Sequence, residues 1–176
     1  MAFTLLKPTG IDLSQTFAFT GSVSGAGGGK VLQVIQVENL TDLSLSSDTY
    51  TDFFSGTITP SATSSKVLAF WTVHSRFMGA IRGFGTRLVR DSTNVWTSTR
   101  DYYIYTEDSA QDRHSTMFSY LDSPSKNTST TYKIQVAAHS DDSIDFSGNS
   151  NQSNLTLMEI SAWLSRRLQL QTHYKV

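Results

Sequence analysis

Apolar and polar residues alternate with a period of two in many short stretches of this chain. Residues 66–77 place Val67, Ala69, Trp71 and Val73 on one side and Leu68, Phe70, Thr72 and His74 on the other. That pattern predicts a long central strand. Residues 16–23 put Phe17, Phe19 and Val23 opposite Thr16, Ala18, Thr20 and Ser22, the mark of a half-buried strand. Residues 31–37 are apolar on both faces apart from Gln33 and Gln36, which predicts a strand covered on both sides. Further strands are expected over 84–90 and 94–99, joined by the turn chemistry of Asp91-Ser92-Thr93, and over 102–106, 116–121, 130–140 and 155–160. The segment 165–176 also alternates: Leu168, Leu170, Tyr174 and Val176 share one face, and Arg167, Gln169, Gln171, His173 and Lys175 the other.

Eight to ten short strands with no long helical period predict an all-β fold, an antiparallel β-sandwich of jelly-roll type. No repeat of solenoid or propeller length is present. The expected organisation is an N-terminal arm over 1–28, a jelly-roll knob over 29–160 and a strand-like tail over 161–176.

The arm ends in the stretch Gly25-Ala26-Gly27-Gly28-Gly29-Lys30. A phosphate loop needs a glycine five residues before its last one, a hydroxyl after the lysine and a helix to follow. Ser24 and Val31 occupy the first two positions, and a strand pattern follows. The dinucleotide pattern fails too, because Lys30 stands where its third glycine belongs. A hinge is the expected role.

Composition narrows the function classes. The 176 residues contain no cysteine, which excludes thiol catalysis and disulfide frameworks. A net charge of −1 with 16% charged residues offers no electrostatic footprint for nucleic acid, and no apolar run is long enough for a membrane span. The start of the chain lacks the pattern of a signal peptide.

Candidate chemistry is sparse. His74, His114, His139 and His173 stand singly, without the close histidine partner that a metal site on one strand or helix favours. The cluster Asp141-Asp142-Ser143-Ile144-Asp145 lacks the spacing of a calcium loop and is expected to be a solvated loop. No serine-nucleophile signature is present, so no enzymatic activity and no cofactor are expected. The aromatic residues say more. Tyr102, Tyr103 and Tyr105 crowd one predicted strand, and Phe118 and Tyr120 another. Rings that cannot all face one core are candidates for an intersubunit surface, where Tyr and Phe are enriched.

The pieces GKVLQVIQV (29–37), SGTITPSATSSKVLAFWTVHS (55–75), STTYKIQVAAHS (129–140) and SNLTLMEI (153–160) carry a resemblance. In that order and spacing the chain resembles the small trimeric β knobs of tailed-bacteriophage virions. Their opening "GKVLQV" and closing "LTLMEI" are the most telling parts. The resemblance implies a sandwich similar to the tumour-necrosis-factor and C1q heads, assembled as a homotrimer with rings buried around its threefold axis. It also implies residence in the virion after synthesis in the host cytoplasm. Fibre proteins of this kind carry a long shaft before the knob, whereas fewer than 30 residues precede Gly29 here, and the chain continues beyond LTLMEI through Ser161-Ala162-Trp163-Leu164.

These departures favour a capsid decoration or cement protein, whose arm and tail clamp the major capsid protein. Phe17, Phe19, Leu168, Leu170 and Tyr174 are the candidate docking residues, since an extended segment with one apolar face can add to a partner's sheet edge. The alternative is a short tail-fibre or baseplate knob, held by tail or baseplate proteins. Its amide-rich loop, with Asn149, Asn151 and Asn154, would bind a host surface glycan or protein. A polysaccharide hydrolase on the same scaffold is a third class, without a catalytic constellation to support it.

Overall fold

A computed structural model describes residues 30–77, 83–98, 112–139, 143–148 and 151–161, and the backbone of 82 and 104–106. The strands are β1 (Val31–Asn39), β2 (Leu43–Leu45), β3 (Thr51–Ile58), β4 (Lys66–Phe77), β5 (Arg82–Arg90) and β6 (Thr93–Thr97). They continue with β7 (Ile104–Thr106), β8 (Asp112–Asp122), β9 (Thr130–Ala138), β10 (Ile144–Phe146) and β11 (Ser153–Ile160). All the pairings between them are antiparallel.

Two sheets form a sandwich. In the first, β4 carries β8 along one edge, and β11 and β10 end to end along the other, with β1 and β2 outside them. In the second, the order is β3, β9, β5, with β6 and β7 end to end beyond β5. Counting β1–β2, β6–β7 and β10–β11 as single interrupted strands leaves eight runs. Their orders are 1-8-3-6 and 2-7-4-5, so the first run pairs with the last, the second with the seventh and so on inward. This is the jelly roll that the alternation predicts.

The core forms because one face of each central strand is apolar. Val67, Ala69, Trp71 and Val73 of β4 meet Tyr132, Ile134 and Val136 of β9 and Phe84 and Leu88 of β5, with Leu155 and Leu157 of β11 alongside. Trp71 is fully buried, stacked on Phe118 at 5.4 Å between centroids and edge-on to Trp96 at 5.2 Å. Gly56 of β3 lies where a Cβ would come within 3.1 Å of Val37 Cγ2 and 3.4 Å of Leu155 Cδ2. Gly56→Leu should therefore overpack this layer and lower stability by about 1–3 kcal/mol in urea unfolding.

Several expectations change. The strand expected over 31–37 is an edge strand rather than a covered one: Val31, Leu32 and Val34 are exposed, because β11 is its neighbour on one side and its outer face has no covering layer among the described residues. The carboxylate cluster is not simply a solvated loop, since Ile144–Phe146 forms β10 with Ile144 and Phe146 buried. Asp145 there accepts hydrogen bonds from Ser44 Oγ at 2.5 Å and from the Arg76 guanidinium. Burial pushes its carboxyl up, but these two donors outweigh burial and hold it below the usual range. The strand expected over 16–23 and the tail over 165–176 lie outside the described residues.

Candidate interaction surface

The described residues hold no group of three or more histidine, cysteine or carboxylate side chains arranged for a metal. The surface of the first sheet is more informative. Its inner face is the core, so the alternate residues form an outer face whose composition can be followed row by row from the register. One row runs Val34, Met158, Leu68, Leu121 across β1, β11, β4 and β8. Beside it, Val31 pairs with Ile160. The next row is Gln36, Thr156, Phe70, Ser119, and the one after it Glu38, Asn154, Thr72, Met117. Farther along come His74 opposite Ser115 and Arg76 opposite Arg113.

This face is therefore apolar at one end and charged at the other. Met117 is 70% exposed, Val34 53% and Leu121 47%, while Leu68, Phe70, Met158 and Ile160 between them are half-buried. A contiguous patch of large apolar side chains across four strands is the feature that marks an interaction surface, in contrast to isolated exposed leucines.

The apolar end adjoins the corner where the first and last described residues, Lys30 and Ser161, meet. There Ser161 N–H donates to the Lys30 carbonyl at 2.9 Å, and Lys30 N–H donates to Ser161 Oγ at 2.8 Å. A buried carboxylate ties down the same corner from inside. Glu159, 1% exposed, accepts from Gln33 Nε2 at 2.7 Å, Ser61 N–H at 2.8 Å and Ser61 Oγ at 2.6 Å. Burial alone would push this carboxyl up, but the bonds from Gln33, Ser61 and Ser65 override burial and hold it at about 2. Gln33 Nε2 also reaches the Thr59 carbonyl at 2.7 Å, so β1, β11 and the link between β3 and β4 are joined through one amide.

A second buried polar set lies at the same end of the sandwich. Tyr132 Oη donates to Asp122 Oδ2 at 2.6 Å and Arg90 Nη1 to both Asp122 oxygens at 2.8 and 2.7 Å. The outer face of the second sheet is a polar ladder: Arg87 donates to Gln135, Gln135 to Asp52, and Lys133 to Asp52, with Arg87 lying over the Tyr50 ring. The two outer faces differ sharply, one polar and cross-linked by hydrogen bonds, the other largely apolar at one end.

Against this geometry the sequence-derived candidates separate. Phe118 is 4% exposed and belongs to the core of the sandwich, because β8 turns its even-numbered positions inward against Trp71. It is therefore core rather than interface. Tyr120, on the same side, packs partly buried against that core. Tyr105 lies on β7 opposite Gly83, and Tyr102 and Tyr103 lie outside the described residues, as do Phe17, Phe19, Leu168, Leu170, Tyr174 and Asn149. Asn154 is a strand residue between Glu38 and Thr72 rather than part of a loop, and Asn151 donates to the Gly148 carbonyl at 2.6 Å. Among the histidines, His74 faces outward, where burial and then Arg113 lower its value. His114 Nε2 is 2.9 Å from Asp112 Oδ2 and its ring is 5.2 Å from that of Phe77. The apolar outer face was missed from sequence. Its signal was available in Met117 and Leu121, one residue out of phase with Phe118 and Tyr120.

No family model and no curated protein matches the chain. Solved structures similar to it include that of the infectious bursal disease virus Gx strain, at 16% identity, covering 73% of this chain and 37% of that one, with a TM-score of 0.42. Another is the infectious bursal disease virus VP2 subviral particle, at 14% identity, 74% and 38% coverage and a TM-score of 0.38. A third is the EclA C-terminal domain, a sugar-binding protein, at 14% identity, 88% and 86% coverage and a TM-score of 0.30. The chain spans under two fifths of the length of those two viral chains.

Proposed function

We propose that this chain is a non-enzymatic structural protein of a bacteriophage virion. In this reading it self-associates as a homotrimer and clamps the capsid shell through its terminal segments. The observation that carries the reading is the apolar end of the outer face of the first sheet, around Val34, Leu68, Met117, Leu121 and Met158. A lone molecule gains nothing by presenting such a patch to water, and burial against further copies recovers about 25 cal/mol per Å². The resemblance of the four sequence pieces to trimeric virion knobs supplies the number of copies. The shared corner at Lys30 and Ser161 supports the clamp, because the first and last described residues are hydrogen-bonded to each other beside the patch.

The receptor-knob alternative draws less support, since Asn154 sits within a strand ladder and Asn151 already bonds its own loop. Sedimentation equilibrium tests the association. The chain is expected to sediment as three copies. Met117→Asp with Leu121→Asp should weaken that association by about tenfold per residue while circular dichroism stays unchanged, since both side chains are exposed in the single subunit. A persistent monomer for the unaltered chain would remove the reading. Electron cryomicroscopy of intact particles tests the location: density repeated over the capsid lattice is expected, and a few copies confined to the tail would reverse it.

A further inference from the structure

We infer that copies join through unlike sheet edges, the outer edge of β1 in one copy pairing antiparallel with the outer edge of β8 in the next. The inference rests on the reading that copies associate, and it names the two strands that meet. Among the described residues β1 pairs only with β11 and β8 only with β4. They are the opposite edges of one four-stranded stretch, β1-β11-β4-β8. A free edge is ordinarily blunted by proline or by bulges. Neither strand holds a proline. The pairing of β8 with β4 is unbroken from Asp112 to Asp122, and β1, past the bulge at its start, is regular from Gln33 to Asn39. Both edges are therefore templates for a further strand.

Direction and side chains both select this pair. Every pairing in the stretch is antiparallel, so β8 runs opposite to β1. A second copy set alongside, with its outer face on the same side, makes β8 and β1 antiparallel neighbours. The outer positions are Val34, Gln36 and Glu38 on β1 and the odd-numbered residues from Arg113 to Leu121 on β8, all of them exposed. A slip of one residue would set outer positions against inner ones. One register opposes Glu38 to Arg113, Gln36 to Ser115 and Val34 to Met117, so an ion pair, a polar pair and an apolar pair form together. It also brings a carboxylate to Arg113, which stands opposite Arg76 in its own sheet. Two residues away in either direction Val34 meets a serine, and a shift of four that gives it Leu121 sets Glu38 against Met117. Like edges do not match: the outer positions of β8 hold no carboxylate and those of β1 no cation. Because the contact joins unlike surfaces, it repeats from copy to copy and closes as a ring. The outer faces then turn towards the common axis, since β3, β9 and β5 back the other side, and the apolar end is buried there.

The absence of cysteine makes disulfide trapping in the full-length chain direct. Gln36→Cys and Ser115→Cys are introduced together, both at exposed positions. Within one copy they lie on strands three apart, about 14 Å, beyond disulfide range. Across the inferred contact they face each other at about 4.5–5.5 Å between Cα atoms, within it. Mild oxidation should give covalent dimers and a closed covalent trimer on denaturing gels, and either single variant should give neither. Gln36→Cys with Ser119→Cys, four residues out of register, should cross-link about tenfold less. Glu38→Arg should weaken the sedimenting association about two- to fivefold, and adding Arg113→Glu should restore most of it. A sedimenting trimer without the link between positions 36 and 115 overturns the edge pairing and leaves self-association standing. Either single variant linking to itself also overturns it, in favour of like edges meeting. A monomer without cross-links overturns both.

Discussion

Trp71→Ala is expected to remove a large part of the stability of this protein, about 3–5 kcal/mol, against the ~5–15 kcal/mol that holds a domain together. The indole is fully buried at the middle of β4, the strand on which the first sheet is built. Truncation strands three partners at once. Phe118 loses its stacking partner, Trp96 loses an edge-on contact, and Thr86 loses the distant indole N–H at 3.4 Å. Thr86 keeps its own bond to the Gln135 carbonyl at 3.0 Å, so the loss is mainly a cavity between the sheets. Such a void does not close, because Trp71 is flanked by strands whose register fixes the backbone on both sides. Urea unfolding followed by circular dichroism measures the effect. Trp71→Phe should recover a good share of the lost midpoint, and a midpoint unmoved by Trp71→Ala would show that the core is not organised around this ring.

The same strand shows how much of the molecule was legible in its sequence. The bounds of β4, Lys66 and Phe77, follow from uninterrupted alternation, and the turn between β5 and β6 follows from Asp91, whose φ of 52° is one that aspartate tolerates better than most residues. Its carboxylate then binds Thr131 N–H at 3.0 Å and Lys126 at 2.5 Å. By contrast β3 was not legible, because Phe53 and Phe54 are adjacent, a bulge lies between Asp52 and Phe54, and Gly56 interrupts the pattern. The three-residue strands β2 and β10 are too short to show a period at all.

The surface was half legible for a related reason. Alternation tells which residues share a face but not which face is inside. In β8 the bulky pair Phe118 and Tyr120 faces inward, and the flexible pair Met117 and Leu121 is left in solvent. That choice is made by Trp96 of the opposite sheet, which packs on Phe118, with Trp71 beside it in the same sheet. Nor could local pattern reveal that Val34, Met158, Leu68 and Leu121 are neighbours, since the row joins four strands far apart in the chain.

Glu159 gives the second large effect, and its sign follows from the direction of its shift. The carboxyl falls from 4.5, the ordinary value for an unfolded chain, to about 2 in the folded one, so the unfolded chain binds the proton first as the solution is acidified. The resulting stabilisation, about 3 kcal/mol, is complete above about pH 5 and is lost as pH falls from 4.5 towards 2. Glu159→Gln removes this dependence. The difference in unfolding free energy between wild type and variant should therefore shrink between about pH 5 and pH 2, while the more exposed Asp52, Asp91 and Asp145 contribute to both proteins alike. At about pH 7 the variant should be less stable by about 1–3 kcal/mol. Its amide N–H must face either Ser61 N–H or Gln33 Nε2, and turning Gln33 to accept it gives up the bond to Thr59. Glu159→Ala should cost more, because it leaves the Ser61 and Gln33 donors without their shared acceptor. The loosened part would be the Lys30–Ser161 corner, so hydrogen exchange of Ser61 and Ser161 should accelerate ahead of that of β4 and β9. A pH profile parallel to wild type, with exchange at this corner unchanged, would show that the carboxylate is not what fastens the Lys30–Ser161 corner.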